Sequence, residues 1–324
     1  MESNCNFIII NNNEDYLKIA YGDLYNNENV SLLYGFPTGD SKLLNIIHKV
    51  HHSKKINQIL NLPLKLLWFK HYCNVINKCS DMCLIFDSRV LQNDYSIPFL
   101  KYLRMHYRTC KIVLFYNDVS FTYGIYTPDL FKTYVDLIIT FDSNDAKKYS
   151  ILYHPTVFSN YLISNNPDIL PCDVYFLGKA KDRLDDIYYM FYYLSKHGLK
   201  CDFYISEVGQ NKRLNVEGLH YISKMNYIEN LQHVAKTRCI LDLVRHGATG
   251  LSFRVWESIM YNKKLITDNN HIIESEFYDK RYITLLKEKE CDIELIKSQS
   301  IFTNPYKKNI TPDQLLRYIA DNLY

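Results

Sequence analysis

Short apolar runs bounded by polar or turn residues recur along the chain at the spacing of an α/β protein. In the first half they are FIII (7–10), VSLLYGF (30–36), MCLIFD (82–87), KIVLFYND (111–118) and DLIITFD (136–142). Their continuous β-branched and aromatic character, with no polar alternation, predicts strands buried on both faces. Between them, 41–60 places Leu43, Leu44, Ile47, Val50, Ile56 and Leu60 at helical spacing, and 97–107 does so with Phe99, Leu100, Leu103 and Tyr107. Strands alternating with helices predict a parallel, doubly wound sheet.

The pattern breaks at SNYLISNNPDILP (159–171), where Asn, Ser and two prolines leave little periodicity, as in a linker. It restarts with a strand at DVYFLG (173–178) and an aromatic-rich helix over 184–197, closed by Gly198 as its C-cap. KCDFYI (200–205), LHYI (219–222), CILDLV (239–244) and KLIT (264–267) continue as strands, with helices over 228–237 and 253–261. Thr311-Pro312-Asp313 reads as an N-cap with proline at the first helical position, opening a terminal helix to Leu323.

A chain of 324 residues is too long for one ordinary core and fits two domains of about 150 residues each. The break places an N-terminal domain at 1–165, a C-terminal domain at 172–310 and a last helix at 311–324 that packs back on the first domain. Apolar residues at 47% and charged residues at 23% exclude a disordered chain. The 29 tyrosines, among many Asn, Ile and Lys, fit an AT-rich coding sequence better than a binding strategy.

The first twenty residues lack a basic stretch followed by an apolar one, and no run of about 18 apolar residues occurs. The nine cysteines are scattered; Cys79 and Cys83 are the closest pair, without a His/Cys cluster at zinc spacing. The expectation is a cytoplasmic protein with buried, reduced thiols.

Net charge is only +3, but it is unevenly spread. Between Lys42 and Lys111 twelve Lys/Arg face three acids (Asp81, Asp87 and Asp94), and His48, His51, His52, His71 and His106 share the span. Within it LPLKLLWFKHY (62–72) alternates Leu, Trp and Phe with Lys. Such a stretch can dock on anionic lipid headgroups at the inner face of the plasma membrane. The more ordinary reading is an amphipathic helix with solvated lysines and an apolar face turned to the core. No nucleic-acid motif accompanies it, so nucleic acid is not an expected partner.

The candidate chemistry lies in the second half. The strand 239–244 runs into His246-Gly247-Ala248-Thr249-Gly250, then into a helix bearing Arg254 and Glu257. The two glycines permit a tight turn and close approach of backbone amides to a ligand. Those amides and the helix N-terminus form a site for a diphosphate. Arg254 offers a fixed planar donor set for phosphate oxygens, and Glu257, three residues on, projects from nearly the same face. A carboxylate there can accept two hydroxyl hydrogen bonds, as a ribose offers. Alone, an Arg-x-x-Glu pair is usually a surface ion pair; its place between two strand-like runs, after a glycine loop, favours the site. His246 reads either as a neighbour of the diphosphate or as a solvated loop histidine.

GLSFRVWESIMYNKKLITDN (250–269) resembles the Gly…Arg-x-x-Glu-(Ala/Ser)…Lys-Leu-Ile-Thr stretch of GT-B glycosyltransferases, in particular the group-1, spore-coat-like and bacterial polysaccharide or lipopolysaccharide branches. The resemblance implies two Rossmann-like domains facing across a cleft, with Glu257 on the nucleotide ribose and Gly247 and Gly250 at the diphosphate beside Thr249. DVYFLGKAKDR (173–183) resembles the first strand and loop of the family's donor domain. This implies Gly178, Lys179, Lys181 and Arg183 near the diphosphate. YISKMNYIENLQHVAKTRCILDL (221–243) resembles the segment that holds the base, through backbone at 223–227 that includes Asn226 and Tyr227. The likeness covers the second domain well and the first only in strand spacing. Thr249 stands where many retaining members carry a second glutamate, Asn262 where a glycine is usual and Lys264 where a proline is usual.

The resemblance implies a hexosyltransferase-type enzyme of cell-surface glycan biosynthesis, moving a sugar from a nucleotide-diphosphate sugar to a polysaccharide or lipid-linked glycan. That co-substrate apart, no cofactor is expected. No Asp-x-Asp triplet occurs and members of this fold generally dispense with metal, so Arg254, Lys179, Lys181 and the glycine loop would stabilise the departing diphosphate. An inverting enzyme needs a general base from the first domain. Asp118 and Asp87, each closing a strand, are the candidates, with a helix N-cap as the alternative for each. Two other readings share the donor half: a non-hydrolysing nucleotide-sugar epimerase and a catalytically silent binding protein. The lack of Gly-x-Gly-x-x-Gly after either first strand argues against a pyridine-nucleotide dehydrogenase.

Overall fold

Each half of the chain gathers its buried apolar runs into a six-stranded parallel sheet. The structure, a computed structural model, describes residues 6–35, 41–51, 53, 56, 59–60, 62–64, 66–76, 82–93, 96–245, 247–298 and 302–324. The chain divides into two compact units, one of Met1–Leu17, Asp23–His154 and Leu315–Tyr324, the other of Lys18–Gly22 and Pro155–Gln314.

The first unit holds β1 (Asn6–Asn11), β2 (Val30–Tyr34), β3 (Met82–Asp87), β4 (Lys111–Tyr116), β5 (Leu137–Thr140) and β6 (Leu152–Tyr153), in the order β2-β1-β3-β4-β5-β6. Ile9 of β1 sits opposite Leu32 on one side and Ile85 on the other. All six residues of β3 are buried, as a strand covered on both faces requires. The helices of this half are α1 (Asp15–Ala20), α2 (Lys42–His51), α3 (Leu66–Ile76), α4 (Ser96–His106), α5 (Pro128–Phe131) and α6 (Ser143–Tyr149). Phe69 and Tyr72 of α3 and Phe99 of α4 pack on the Leu84, Phe86 and Leu114 face of the sheet.

The second unit holds β7 (Cys172–Lys179), β8 (Cys201–Ser206), β9 (Leu219–Ile222), β10 (Thr237–Asp242), β11 (Lys264–Thr267) and β12 (Ile283–Leu285), in the order β12-β11-β10-β7-β8-β9. Its helices are α7 (Leu184–Lys196), α8 (Tyr227–Lys236), α9 (Phe253–Met260) and α10 (Ile293–Lys297); α11 (Pro312–Leu323) ends the chain and belongs to the first unit from Leu315 onward. Alternate residues of β7 serve two cores. Val174 and Phe176 pack with Ile187 and Leu194 of α7, while Tyr175 packs with Val255 and Trp256 of α9. Gly198, at φ +79, ends α7 in the left-handed conformation that glycine adopts without cost.

The irregular stretch before β7 is anchored at its start. Phe158 is fully buried and its backbone N–H donates to the Ile310 carbonyl at 2.7 Å, and Ser159 Oγ donates to the Ala20 carbonyl at 2.8 Å. Trp256 donates its indole N–H to Thr156. Among the described residues seven cysteines are free, six of them buried, and no helix is long and apolar enough to cross a membrane.

Candidate functional site

In the second unit the chain lays β8 and β9 on one side of β7, then returns past it to place β10, β11 and β12 on the other. The loops leaving β7 and β10 therefore part in opposite directions, and the crevice they open is where doubly wound sheets hold ligands. Two arginines cross it. Arg254, in the first turn of α9, donates to the Leu177 carbonyl of β7 from Nε at 3.1 Å and Nη2 at 2.5 Å, and from Nη1 to Asp242 Oδ1 of β10 at 3.2 Å. Arg183, preceding α7, donates to the Leu243 carbonyl just past β10 and, from Nη2 at 2.8 Å, to the Lys179 carbonyl.

Gly178 lies where the Arg254 guanidinium stacks over Phe176, 5.2 Å from the ring centroid. A Cβ at 178 would stand 2.7 Å from that ring and 2.8 Å from Arg254 Nη2, so the position has room only for hydrogen. Asp242 is wholly buried and its charge is well met. Oδ1 accepts from Ser252 Oγ at 2.8 Å as well as from Arg254, and Oδ2 accepts from Thr267 Oγ1 at 3.0 Å. Burial and the neighbouring Arg254 hold Arg183 below the usual arginine range, with Asp242 among the groups opposing this.

The loop between β10 and α9 is held in place by residues that follow β11. The Val244 N–H donates to Asp268 Oδ1 at 2.7 Å, and Asn269 Nδ2 donates to the Thr249 and Gly250 carbonyls, each at 3.2 Å. Ser252 caps α9 by accepting the Arg254 N–H at 3.2 Å. Gly247 takes φ +81 with open space around its Cβ position, so backbone conformation and not crowding calls for glycine there. Burial pushes the Asp268 carboxyl up to about 6, and Asp242 adds to the rise.

Glu257 lies one turn further along α9 and is 3% exposed. Its Oε1 accepts from Tyr227 Oη at 2.7 Å and from Asn230 Nδ2 at 2.8 Å. Tyr175 Oη donates to Asn230 Oδ1 at 3.0 Å, which turns the amide so that its NH2 faces the carboxylate. Burial raises the pKa of Glu257, while the Tyr227 bond and Arg254 oppose the rise.

The sequence-derived residues thus fall into groups. Gly178, Arg183, Arg254, Thr249 and Gly250 meet at the crevice or in its loop, with Glu257 and Tyr227 beside them. Arg254 is more a brace than a free phosphate ligand, because three of its N–H groups are engaged by protein. Lys179 turns toward β8, ion-paired with Glu207 at 2.7 Å, and Lys181 is exposed at φ +44. Asn226 caps α8, accepting the Ile228 N–H at 2.8 Å. His246 lies outside the described residues.

In the first unit Asp87 and Asp118 end up in different environments. Asp87 is buried, caps the 3-10 turn that follows β3 and pairs with Arg89, whose Nε is 3.3 Å from Oδ1 and Nη2 3.0 Å from Oδ2. Both oxygens are therefore occupied, as the cap alternative implied. Asp118 is exposed and accepts the Val119 N–H at 2.9 Å. At the same carboxyl edge, Asn11, the last residue of β1, and Asn117 after β4 each keep a buried side-chain NH2 without an acceptor among the described residues.

Sequence reasoning missed Asn230, Asp242, Asp268 and the clamping role of Asn269. Asp242 closes a buried strand and Asp268-Asn269 follow the next one directly. Polar residues at the carboxyl ends of adjacent buried strands are the signal that could have found them.

No protein-family model matches the chain, and no curated protein matches it. Solved structures do. An alpha-glucosyltransferase in complex with UDP and a 13-mer DNA is similar at TM-score 0.59 and 12% identity, over 98% of each chain. The catalytic domain of Starch Synthase IV from Arabidopsis thaliana, bound to ADP and acarbose, is similar at TM-score 0.54 and 6% identity, over 98% of this chain and 99% of that one. UDP-GlcNAc 2-epimerase from Methanocaldococcus jannaschii, in complex with UDP-GlcNAc and UDP, is similar at TM-score 0.51 and 12% identity, over 97% and 99%. At these identities the likeness speaks for architecture: the chain has the GT-B fold, two Rossmann-like α/β units with a C-terminal helix.

Proposed function

We propose that the protein binds a nucleotide-diphosphate sugar at the crevice of its second unit and transfers the sugar to a polysaccharide or lipid-linked glycan. Glu257 carries this reading. A carboxylate this deeply buried is costly unless its charge is used, and both hydrogen bonds it accepts fall on Oε1. Oε2 is then left to receive the hydroxyls of a ribose, as the family resemblance implies. The amides of 247–250, held by Asn269, and the N-terminus of α9 would take the diphosphate. The structural neighbours that hold UDP or ADP support the same ligand class.

Departure of a nucleoside diphosphate builds negative charge, which preorganised amides and cations stabilise without reorganisation. We assign that role to the loop, to Lys181 and to the N–H groups of Arg254 that protein does not engage, and propose turnover without a divalent metal. Activity that vanishes on chelation and returns only with manganese would remove that part. For the base we favour Asp118 over Asp87, because Asp118 is exposed and Asp87 has both oxygens occupied. The unpartnered amides of Asn11 and Asn117 are proposed to meet acceptor hydroxyls. The setting we propose is the cytoplasmic face of the plasma membrane.

The test is a thermal-shift panel of UDP-, GDP-, dTDP- and CMP-linked sugars. A ligand that binds only the native state stabilises it by RT ln(1 + [L]/Kd), so one nucleotide class should raise Tm. No shift from any of the four at millimolar concentration sinks the reading. Product analysis with the best donor then separates transfer or hydrolysis from epimerisation, and absence of turnover marks a silent binder.

A further inference from the structure

The helix pair α2–α3 of the first unit presents an apolar face that nothing among the described residues covers. None of the ten residues of α2 is buried. Leu43, Ile46, Ile47 and Val50, at i, i+3, i+4 and i+7, form one stripe with exposures of 66%, 60%, 45% and 47%. Leu64 and Leu67, 68% and 65% exposed, extend it. Ile46, Ile47, Val50, Leu64 and Leu67, with Leu62, Pro63 and Trp68, line a groove of about 650 Å³. Contiguous apolar surface rimmed by polar residues marks a place of interaction.

The groove is a built feature, fixed from behind. Trp68 Nε1 donates to His51 Nδ1 at 2.8 Å, and the other nitrogen of the same ring meets the Pro63 carbonyl at 2.6 Å. His48 and Tyr72 are hydrogen-bonded on the same inner side. Trp68, Phe69 and Tyr72 are themselves buried in the core of the unit.

Charge identifies the occupant. Between Asp40 and Asp81 the sequence carries seven lysines and no acid. Lys42 and Lys49, one heptad apart, border the stripe on the side away from the core, and Lys70 is exposed on α3. Lys54, Lys55, Lys65 and Lys78 lie outside the described residues. Leucines and isoleucines flanked by unopposed lysines suit a bilayer interface, where apolar side chains sink below the phosphates and ammonium groups stay at anionic headgroups. A nucleic acid would satisfy the lysines but would leave the apolar stripe against water and phosphate.

We propose that the α2–α3 face is a docking surface for an anionic lipid bilayer. A membrane-borne acceptor gives this surface its purpose, yet its test reads lipid binding and not turnover, so either idea can fail alone. The full chain is floated with vesicles of phosphatidylcholine alone and of phosphatidylcholine with phosphatidylglycerol. Binding is expected only with the anionic mixture, falling with salt, and by about fivefold for each lysine removed. Ile46→Ser/Leu67→Ser and Lys49→Glu/Lys70→Glu should each release the protein while leaving its thermal unfolding midpoint and circular dichroism unchanged, which separates lost docking from lost folding. Absence of vesicle binding overturns the proposal, as does binding that survives both pairs. Retention of duplex DNA, or a dimer abolished by the Ser pair, in a protein that ignores vesicles would reassign the face to nucleic acid or to a second copy.

Discussion

Tyr227 donates to Glu257 Oε1 across 2.7 Å, from a helix whose next turn sends Asn230 to the same oxygen at 2.8 Å. Two neutral donors on one atom keep a buried carboxylate in place and leave the other oxygen for a ligand. Hydrogen bonds to a charged group contribute roughly 1.5–3 kcal/mol. Glu257→Ala should therefore weaken nucleotide-sugar binding by about ten- to a hundredfold, measured by titration calorimetry. Glu257→Gln keeps an acceptor and should lose less. Unchanged affinity in the alanine variant would refute the ribose assignment.

Gly178→Ala should destabilise the protein by about 1–3 kcal/mol through overpacking, because the new methyl meets the Phe176 ring and Arg254 Nη2. The double variant Gly178→Ala/Arg254→Ala removes one of those neighbours, so urea denaturation should give a sum of single effects larger than the pair. Strict additivity would show that the guanidinium does not occupy that place.

Asn269→Ala leaves the Thr249 and Gly250 carbonyls without their donor and should cost about 1–3 kcal/mol. Hydrogen exchange at the amides of 247–250 should quicken while that of β7 and β10 stays slow. Equal acceleration in the strands would mean that Asn269 stabilises the unit as a whole and not this loop.

Asp268 gives a pH signature. Its folded carboxyl holds a proton up to about 6, against an unfolded value of 3.8. Between those values the native state binds more protons, so raising the pH through the window lowers stability. Asp268→Asn mimics the protonated form and can still accept from Val244. Its Tm advantage over the parent should grow from pH 4 to 6 and then level off. A constant difference would contradict the raised pKa.

His48 has the opposite sign. Burial, aided by His51 and His71, lowers its pKa to about 4 from 6.5. The unfolded chain takes up that proton first, so stability falls as pH drops from 6.5 to 4. Amide exchange in α2 should speed up over that interval, and His48→Gln should flatten the response.

Much of the fold was legible because its elements are long and sharply bounded. β3, β9 and β11 occupy the limits their apolar runs set, and α11 opens at Pro312. β6 and β12, at two and three residues, are too short to display a period. At the site, residue types were legible and partners were not. Arg254 carries a phosphate-binding side chain, but its main bonds go to Leu177, 77 positions away. Asp242 looks like any strand-closing aspartate until Ser252, Arg254 and Thr267 converge on it. Such pairings are set by strand order, which puts β10 next to β7 across an intervening run of 57 residues (180–236) that no local pattern encodes.

The reciprocal seating of Arg183 and Arg254 has a mechanical consequence. Each guanidinium grips main chain on the far side of the crevice, and main-chain carbonyls do not change rotamer. The two central strands are thus latched at the end where they would otherwise splay, and the gap between them has a fixed width before any ligand arrives. A ligand entering that gap gains nothing from squeezing it and loses nothing in opening it. Selectivity at this end of the sheet would then come from size, set by the latch.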